Sequence, residues 1–336
     1  MNNFIKSPSA CCVGLLLISS AAAQAQAEFS YQAVLDLSYG RFEPSGFYRE
    51  HRFNSNSLSA SFVGGTAQYG FDEGWSSGVT LETFVRFQDI KTGRRDSDPF
   101  LSRNAFAFVN SNYGNVRVGR LQTFLFDSTA RFNALGNSVA FSPALRQVFS
   151  AGNLIGAQGD FYWNQAISYS SPNFEGLTGN LMYAKGNSIE RGDYGAASVV
   201  WSYGLFAATA SAQTVQINDA IKEPTDEKLW QLGATYNFGF FKLFGLHNQT
   251  RDRGLDVNSK SSSVGASAVL GPGSLLLQMG VSRATGLAVN RKQTTVSAAY
   301  VYPYDSQTDI YVIGMDDRVS GQTRGFSAAI GIRLKL

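Results

Sequence analysis

The sequence predicts an all-β protein in which sixteen antiparallel strands close into a transmembrane barrel with its third loop folded into the lumen. Three features of the sequence carry this prediction. Hydrophobic and polar residues alternate over long segments, the connections between these segments alternate between short and long, and one connection is far longer than the others. Such alternation is typical of outer-membrane barrels, whose strands expose one face to lipid and the other to a polar interior.

The closing segment, GFSAAIGIRLKL, shows the alternation most clearly. Phe326, Ile330 and Leu334 fall on one face, whereas Ser327 and Arg333 fall on the other. A period of two predicts a β-strand with one buried or lipid-facing side. The first segment after residue 28 repeats the pattern, so the two ends of the chain are the expected partners at the closure of the barrel.

The connections fix the predicted number of strands. Short turns are expected at seven places, near 71–74, 112–115, 172–176, 203–204, 237–239, 271–273 and 303–306. Longer polar connections are expected at eight places, near 43–57, 91–99, 123–160, 186–193, 217–226, 250–260, 285–290 and 316–323. Fifteen connections join sixteen strands. Aromatic residues crowd the short turns, as a girdle at the membrane interface requires.

The amino terminus predicts export from the cytoplasm. Lys6 precedes an apolar run of about 13 residues that ends near Ala23, and small residues stand at Ala25 and Ala27. We therefore expect a cleaved signal peptide at 1–27 and a β-barrel domain at 28–336. Both cysteines, Cys11 and Cys12, lie within the predicted signal peptide.

Composition argues against several other functional classes. The formal net charge is only +3, with no concentrated basic face, so nucleic acid is not an expected partner. The two histidines, His51 and His247, have no nucleophile motif beside them and no metal-ligand spacing. We therefore expect no enzyme activity, no bound metal and no cofactor.

Three segments resemble the general porins of Gram-negative outer membranes, particularly the betaproteobacterial type. They are AFVNSNYGNVRVGR (107–120), AISYSSPNFEGL (166–177) and AAYVYPYD (298–305). The resemblance implies a homotrimer in the outer membrane, in contact with lipid and lipopolysaccharide, that passes ions and small hydrophilic solutes by passive diffusion. It also implies that loop 123–160 narrows the pore. The family usually ends in Phe, whereas this chain ends in Leu336.

The expected pore-lining side chains come from strand alternation and from the third loop. Alternation directs Glu82, Arg86, Arg103 and Arg117 into the lumen, with Arg103 in opposite phase to Phe106 and Phe108. The third loop contributes Asp127, Arg131, Arg146 and Asp160. Charges at the narrowest point of a pore set its ion selectivity. Because arginines exceed carboxylates in this set, the sequence predicts a weak to moderate preference for anions.

Arg120 is the residue on which two arguments disagree. Simple alternation places it on the outer face with Val118, whereas the resemblance implies that it lines the pore. Gly119 can bend the chain at this point, which favours the pore-lining position.

Two alternatives remain open at the level of sequence. In one, five phenylalanines of the third loop build a saturable site for a small organic acid or sugar; the same residues could instead pack the loop against the barrel wall. They are Phe124, Phe126, Phe132, Phe141 and Phe149. In the other alternative the barrel is purely structural and conducts nothing.

Overall fold

The computed structural model describes residues 27–150, 156–186, 192–217, 224–287 and 289–336. The predicted signal peptide lies outside the described residues, apart from Ala27. Sixteen antiparallel strands form the barrel wall. They are β1 (Ala27–Phe42), β3 (Phe62–Gly70), β4 (Ser76–Arg86), β6 (Ala105–Ser111), β7 (Gly114–Gln122), β8 (Tyr162–Ser170), β9 (Leu177–Ala184), β10 (Tyr194–Tyr203), β11 (Phe206–Ile217), β12 (Thr225–Asn237), β13 (Phe241–Asp252), β14 (Val257–Leu270), β15 (Gly273–Gly286), β16 (Asn290–Pro303), β17 (Thr308–Val319) and β18 (Gly325–Lys335).

Two short strands lie in the long connections. They are β2 (Glu50–Asn54), which pairs with the end of β1, and β5 (Lys91–Thr92), which pairs with the end of β4. The remaining strands follow one another around the wall in chain order. The predicted strand number and the predicted division into short turns and long loops are therefore confirmed.

The first and last strands close the barrel. β1 pairs antiparallel with β18 from Val34 opposite Lys335 to Arg41 opposite Ala328. The other edge of β1 pairs with β3 and β2. Closure matters because a strand edge left unpaired in hydrocarbon would expose backbone N–H and C=O groups without partners.

Alternation along the strands separates an apolar outer face from a polar interior. On β18, Phe326 and Ile330 are exposed on the outside, whereas Ser327 is 2% exposed and faces inward. On β1, Tyr31 is exposed outside and Asp36 is buried inside. The predicted phase of both terminal strands is confirmed.

The predicted aromatic residues are exposed at the short-turn end of the barrel. Examples are Phe71, Tyr113, Tyr203 and Tyr304. No helix among the described residues is long and apolar enough to cross a membrane.

The phase of β6 differs from the prediction. Phe106 pairs with Thr80 of β4, and Phe108 pairs with Arg117 of β7, so both phenylalanines share the inward face with these polar residues. The prediction that they face away from the lumen is wrong. Arg103 still reaches the lumen because it lies in the irregular segment before β6 begins, where strand alternation does not apply.

Candidate functional site: the barrel lumen

Among the described residues, helices of four or more residues occur only in the third loop. Helix α1 (Phe124–Arg131) begins at Thr123, whose side chain accepts a hydrogen bond from the Phe126 N–H. A single turn, α2 (Pro143–Leu145), follows and continues into the helical segment Arg146–Ser150.

This loop packs against inward-facing side chains of the far wall. Ser128 Oγ donates to Gln231 Oε1 of β12 at 2.7 Å, and Ser297 Oγ of β16 donates to the Phe141 carbonyl at 2.6 Å. Gln231 and Phe141 are completely buried. Because its partners are lumen-facing, the loop segment 123–150 lies inside the barrel.

The loop leaves two cavities along the near wall. The outer cavity, of about 420 Å³, lies on the side of the long loops, and the inner cavity, of about 340 Å³, lies on the side of the short turns. Arg103 lines both cavities. A solute that passes from one to the other therefore passes Arg103.

Arginines dominate the outer cavity. Five of them line it, and no aspartate or glutamate of the described chain does. They are Arg52, Arg94, Arg95, Arg103 and Arg146. Because the acidic partners of these arginines do not line the cavity, the surface that the cavity presents to a solute is positive.

Glu82 is the acidic partner of Arg103, and it lines the inner cavity but not the outer one. It is 2% exposed and accepts hydrogen bonds from Arg103, from Gln32 Nε2 at 2.6 Å and from Asn104 Nδ2 at 2.6 Å. The guanidinium of Arg103 also lies 3.7 Å from the ring centroid of Phe62. These contacts fix the cation in place, and the carboxylate is largely shielded from solvent.

Arg94 has two acidic partners, which connect the second loop to the end of the third. It binds Asp160 through both terminal nitrogens and Asp98 through Nε at 3.2 Å. Burial alone would lower the pKa of Arg94, but the bonds to Asp160 outweigh burial and hold the pKa above its ordinary value. Arg94 was missed by the sequence analysis because irregular loops carry no alternation from which its direction could be read.

Arg146 crosses the lumen from the third loop to the wall. Its Nη2 lies 3.5 Å from Asp317 Oδ2 on β17, and its Nη1 donates to the Ala140 carbonyl. Asp317 is 2% exposed and also accepts from Gln293 and Thr295. As with Arg103, the acid is buried behind the arginine that lines the cavity.

Besides Glu82 and Arg103, three predicted residues lie on the inner side of the lumen. Arg117 lines the inner cavity, with its guanidinium 5.3 Å from the ring centroid of Phe106. Asp127 is exposed on helix α1, and its neighbouring charges are Arg117 and Arg131. Arg131 itself reaches Ser202 Oγ near the end of β10.

Arg86 and Arg120 line neither cavity. Arg86 binds Asp96 and Asp89 in the second loop. Gly119 has a positive φ of 143°, and the β7–β8 ladder contains a bulge beside it, as the bend predicted there requires. The register nevertheless places Arg120 opposite Ala105, which pairs with the outward-facing Leu81.

The side chain of Arg120 is held within the wall. Its Nε donates to the Ser102 carbonyl at 2.9 Å, and its Nη1 donates to Asn164 Oδ1 at 2.7 Å. Its guanidinium also contacts the ring of Tyr162. Arg120 is therefore buried among these partners in the wall, and we assign it a structural position.

Four of the five phenylalanines of the third loop are buried. Phe126 and Phe149 pack with Phe161, whereas Phe132 and Phe141 join clusters formed with the far wall. Phe124 is half-buried and lines the inner cavity. Packing against the wall, the second of the two interpretations, accounts for the loop's phenylalanine content.

Neither histidine belongs to the lumen site. His51 is exposed on β2, and His247 Nδ1 lies 2.8 Å from Ser262 Oγ on the outer wall, beside the ring of Trp230. Within the described residues, no group of three or more His, Cys, Asp or Glu side chains could hold a metal ion.

The family model described as Gram-negative porin matches residues 10–322. The chain belongs to the Gram-negative porin family. Membership places it in the outer membrane, where its barrel forms a water-filled channel for the passive diffusion of ions and small hydrophilic solutes.

Individual relatives agree with the family. Outer membrane porin protein 32 of Delftia acidovorans is 28% identical over 310 residues, which cover 88% of this chain and 85% of the relative. The anion-selective porin from Comamonas acidovorans has a TM-score of 0.78 at 20% identity, covering 93% of this chain and 100% of the other. OmpT of Vibrio cholerae in its trimer form has a TM-score of 0.68 at 13% identity, covering 92% and 99%.

Proposed function

We propose that this porin is an anion-preferring diffusion channel whose selectivity arises at the outer cavity. The observation that carries the proposal is the set of five arginines that line this cavity while no described carboxylate does. Rings and ladders of charge at a constriction bias which ions pass. The buried positions of Glu82 and Asp317 support the same conclusion, because the acids contribute less surface than the arginines they bind.

The third loop, 123–160, acts in this proposal as the constriction. Its packing against β12 and β16 leaves the passage along the opposite wall, past Arg103. Arg117, Arg131 and Asp127 then line the route toward the periplasm. Arg86 and Arg120 are not part of the proposed selectivity device.

The burial of the loop phenylalanines also supports a non-specific channel over a saturable one. A binding site for an organic acid or sugar would need side chains free to contact it. Phe132 and Phe141 are at most 1% exposed, and both are occupied by contacts with the barrel wall.

Two further expectations complete the proposal. The predicted signal peptide, 1–27, is removed on export, and the mature barrel assembles as a homotrimer. The trimer form of OmpT, which shares the fold, supports the second expectation. Lipopolysaccharide and outer-membrane lipid surround the barrel.

Liposome swelling tests the proposed preference. Vesicles that contain the purified porin are diluted into iso-osmotic solutions of an organic anion or an organic cation of matched size. The counter-ions of the two salts are chosen to cross the membrane at the same rate. We expect the anion to enter faster, with an uncharged sugar of equal size between the two. Equal rates, or faster entry of the cation, would contradict the selectivity assigned to the outer cavity.

A further inference from the structure

Three cations form a row across neighbouring strands of the outer wall. Lys260 on β14 lies directly opposite Arg283 on β15, and Arg283 lies directly opposite Lys292 on β16. Neighbouring strands are about 4.8 Å apart, so the three Cα atoms span about 10 Å. Like charges directly opposite one another destabilise a sheet, so this row is unfavourable unless an anion binds to it.

The row faces away from the lumen. All three side chains are exposed, whereas their chain neighbours Ser261 and Ala284 are buried on the inside. The cations therefore cannot serve the proposed selectivity of the pore. They belong to the surface that meets lipid.

No described carboxylate neutralises the row. Within the described ranges, none of the three side chains takes part in a salt bridge or a side-chain hydrogen bond. Other exposed arginines at this end of the barrel differ: Arg318 binds Asp316 at 2.8 Å, and Arg253 binds Asp226 at 3.1 Å. The three cations of the row thus differ from these two paired arginines.

The height of the row matches the outer membrane interface. Tyr302 belongs to the aromatic group at the short-turn end and lies ten residues from Lys292 on the same strand. At about 3.4 Å per residue and a tilt of about 40°, ten residues rise about 26 Å, close to the apolar band of about 25 Å.

An aromatic residue of the outer face lies two strands from the row. Trp230 is exposed on β12 and is connected to Lys260 through Gln249, its cross-strand partner on β13. Trp is enriched at membrane–water interfaces because its ring is apolar while its N–H is polar. The row therefore lies where lipid head groups meet the barrel.

The three cations line a shallow cavity of about 460 Å³ together with hydroxyl groups. Ser262 and Ser320 contribute these hydroxyls. Arginine and lysine beside hydroxyl donors suit the oxygens of a phosphate group. Val281 lines the cavity too, and the exposed Val264 lies further toward the membrane midplane on the same face.

We propose that Lys260, Arg283 and Lys292 bind a phosphate of the phosphorylated glycolipid in the outer leaflet, the lipid A part of lipopolysaccharide. The cations and hydroxyls hold the phosphate, and the valines contact the acyl chains. Basic pockets on membrane proteins recognise lipid head groups in this way. The apolar contacts favour a lipid over free phosphate as the occupant. This inference depends on the outer-membrane location and not on the anion preference of the pore.

Native mass spectrometry of the purified porin tests the site. The protein is reconstituted with phosphorylated lipid A, with its dephosphorylated form or with phosphatidylglycerol, and is then extracted in detergent. The test variant carries Lys260→Gln, Arg283→Gln and Lys292→Gln. The control variant carries the same charge change at exposed loop arginines, as Arg49→Gln, Arg253→Gln and Arg324→Gln. Single-channel conductance shows that each variant has folded.

We expect the wild type and the control to retain phosphorylated lipid A, and the test variant to retain at least tenfold less, with unchanged conductance. Equal retention by the test variant would overturn the site. Equal retention of dephosphorylated lipid A would overturn the role of phosphate. Equal retention of phosphatidylglycerol, or displacement by millimolar inorganic phosphate, would overturn the assignment to the glycolipid. A cation-preferring pore with normal lipid A retention would contradict the proposed function alone.

Discussion

Arg94 of the second loop and Asp160 at the end of the third loop form a two-point ion pair, with Nη1 2.7 Å from Oδ1 and Nη2 2.6 Å from Oδ2. The pair has two consequences for the pore. It fixes the end of the constriction loop to the near wall, and it neutralises the carboxylate while the guanidinium still lines the outer cavity.

Replacing Asp160 with Asn should loosen this junction. Loss of a charged hydrogen-bond partner costs about 2 kcal/mol in the free energy of unfolding, and the unpaired Arg94 should raise the preference for anions. Denaturant unfolding in lipid and the reversal potential measure the two effects. Asp96→Asn in the second loop is the control, because the Asp96 side chain is 69% exposed and an exposed carboxylate in an ion pair contributes about 0 to 1 kcal/mol. A variant indistinguishable from the control would contradict the role of the pair.

The same pair predicts a dependence on pH. Burial raises the pKa of Asp160, but the hydrogen bonds from Arg94 outweigh burial and leave the pKa below its ordinary value. A lowered pKa means that the carboxylate stabilises the folded state above the pKa of the unfolded chain, about 3.9. The penalty of Asp160→Asn should therefore be constant from about pH 7 to pH 5 and shrink below about pH 4. A penalty that already shrinks between pH 7 and pH 5 would indicate a raised pKa.

Arg103 and Glu82 should have opposite effects on ion preference. Arg103→Gln removes the cation common to both cavities and leaves Glu82 unpaired, so the preference for chloride should fall. Glu82→Gln keeps the size of the side chain and releases the charge of Arg103, so the preference should rise. One unit charge at about 4 Å in water is worth about 1 kcal/mol, which limits each change to about fivefold in the permeability ratio. Changes in the same direction would contradict the arrangement.

Arg120→Ala and Arg117→Ala form a matched pair. Arg120 donates hydrogen bonds to Ser102 and Asn164 within the wall, so Arg120→Ala should lower the free energy of unfolding by about 2 kcal/mol. It should leave the ion preference unchanged. Arg117 lines the inner cavity, so its loss should reduce the preference for anions with little effect on stability. Reversal potentials and unfolding in lipid distinguish the two. A changed ion preference in Arg120→Ala would mean that Arg120 contributes to the ion selectivity of the pore.

Ile330→Arg tests the phase of the last strand. Ile330 is 62% exposed on the outer face near the middle of β18, where an arginine should cost about 2 to 4 kcal/mol in lipid. Phe326→Arg on the same face is the control, because it lies near the end of the strand, where the cost falls to about 0 to 1 kcal/mol. Equal unfolding free energies for the two variants would mean that Ile330 does not face the midplane of the bilayer.

The sequence predicts the fold well because the membrane restricts the alternatives. A strand such as β18 must show lipid-facing residues at every second position, and closure in lipid requires β1 to pair with it. Phe106 and Phe108 show the limit of this argument. Alternation gives two opposite phases for a strand with apolar residues on both faces, and only the pairing with Thr80 and Arg117 decides between them.

The lumen site is predicted less completely. Arg103, Arg117 and Arg146, which the sequence suggests, line the two cavities, whereas Arg94 and Arg52 come from long loops whose direction no periodic pattern specifies. The pairing of these arginines with Glu82, Asp160 and Asp317 could not be predicted, since it arises only through long-range packing. The charge that a pore presents to solute depends on such pairings more than on residue counts.

The reversal potential of the purified porin in a planar bilayer under a KCl gradient tests the central claim most directly. The outer cavity predicts a sign that corresponds to chloride preference, weaker at high salt because screening shortens the range of the arginines' field. A potassium preference would contradict the account, because it would mean that Asp127 or the acids behind the arginines control the passage.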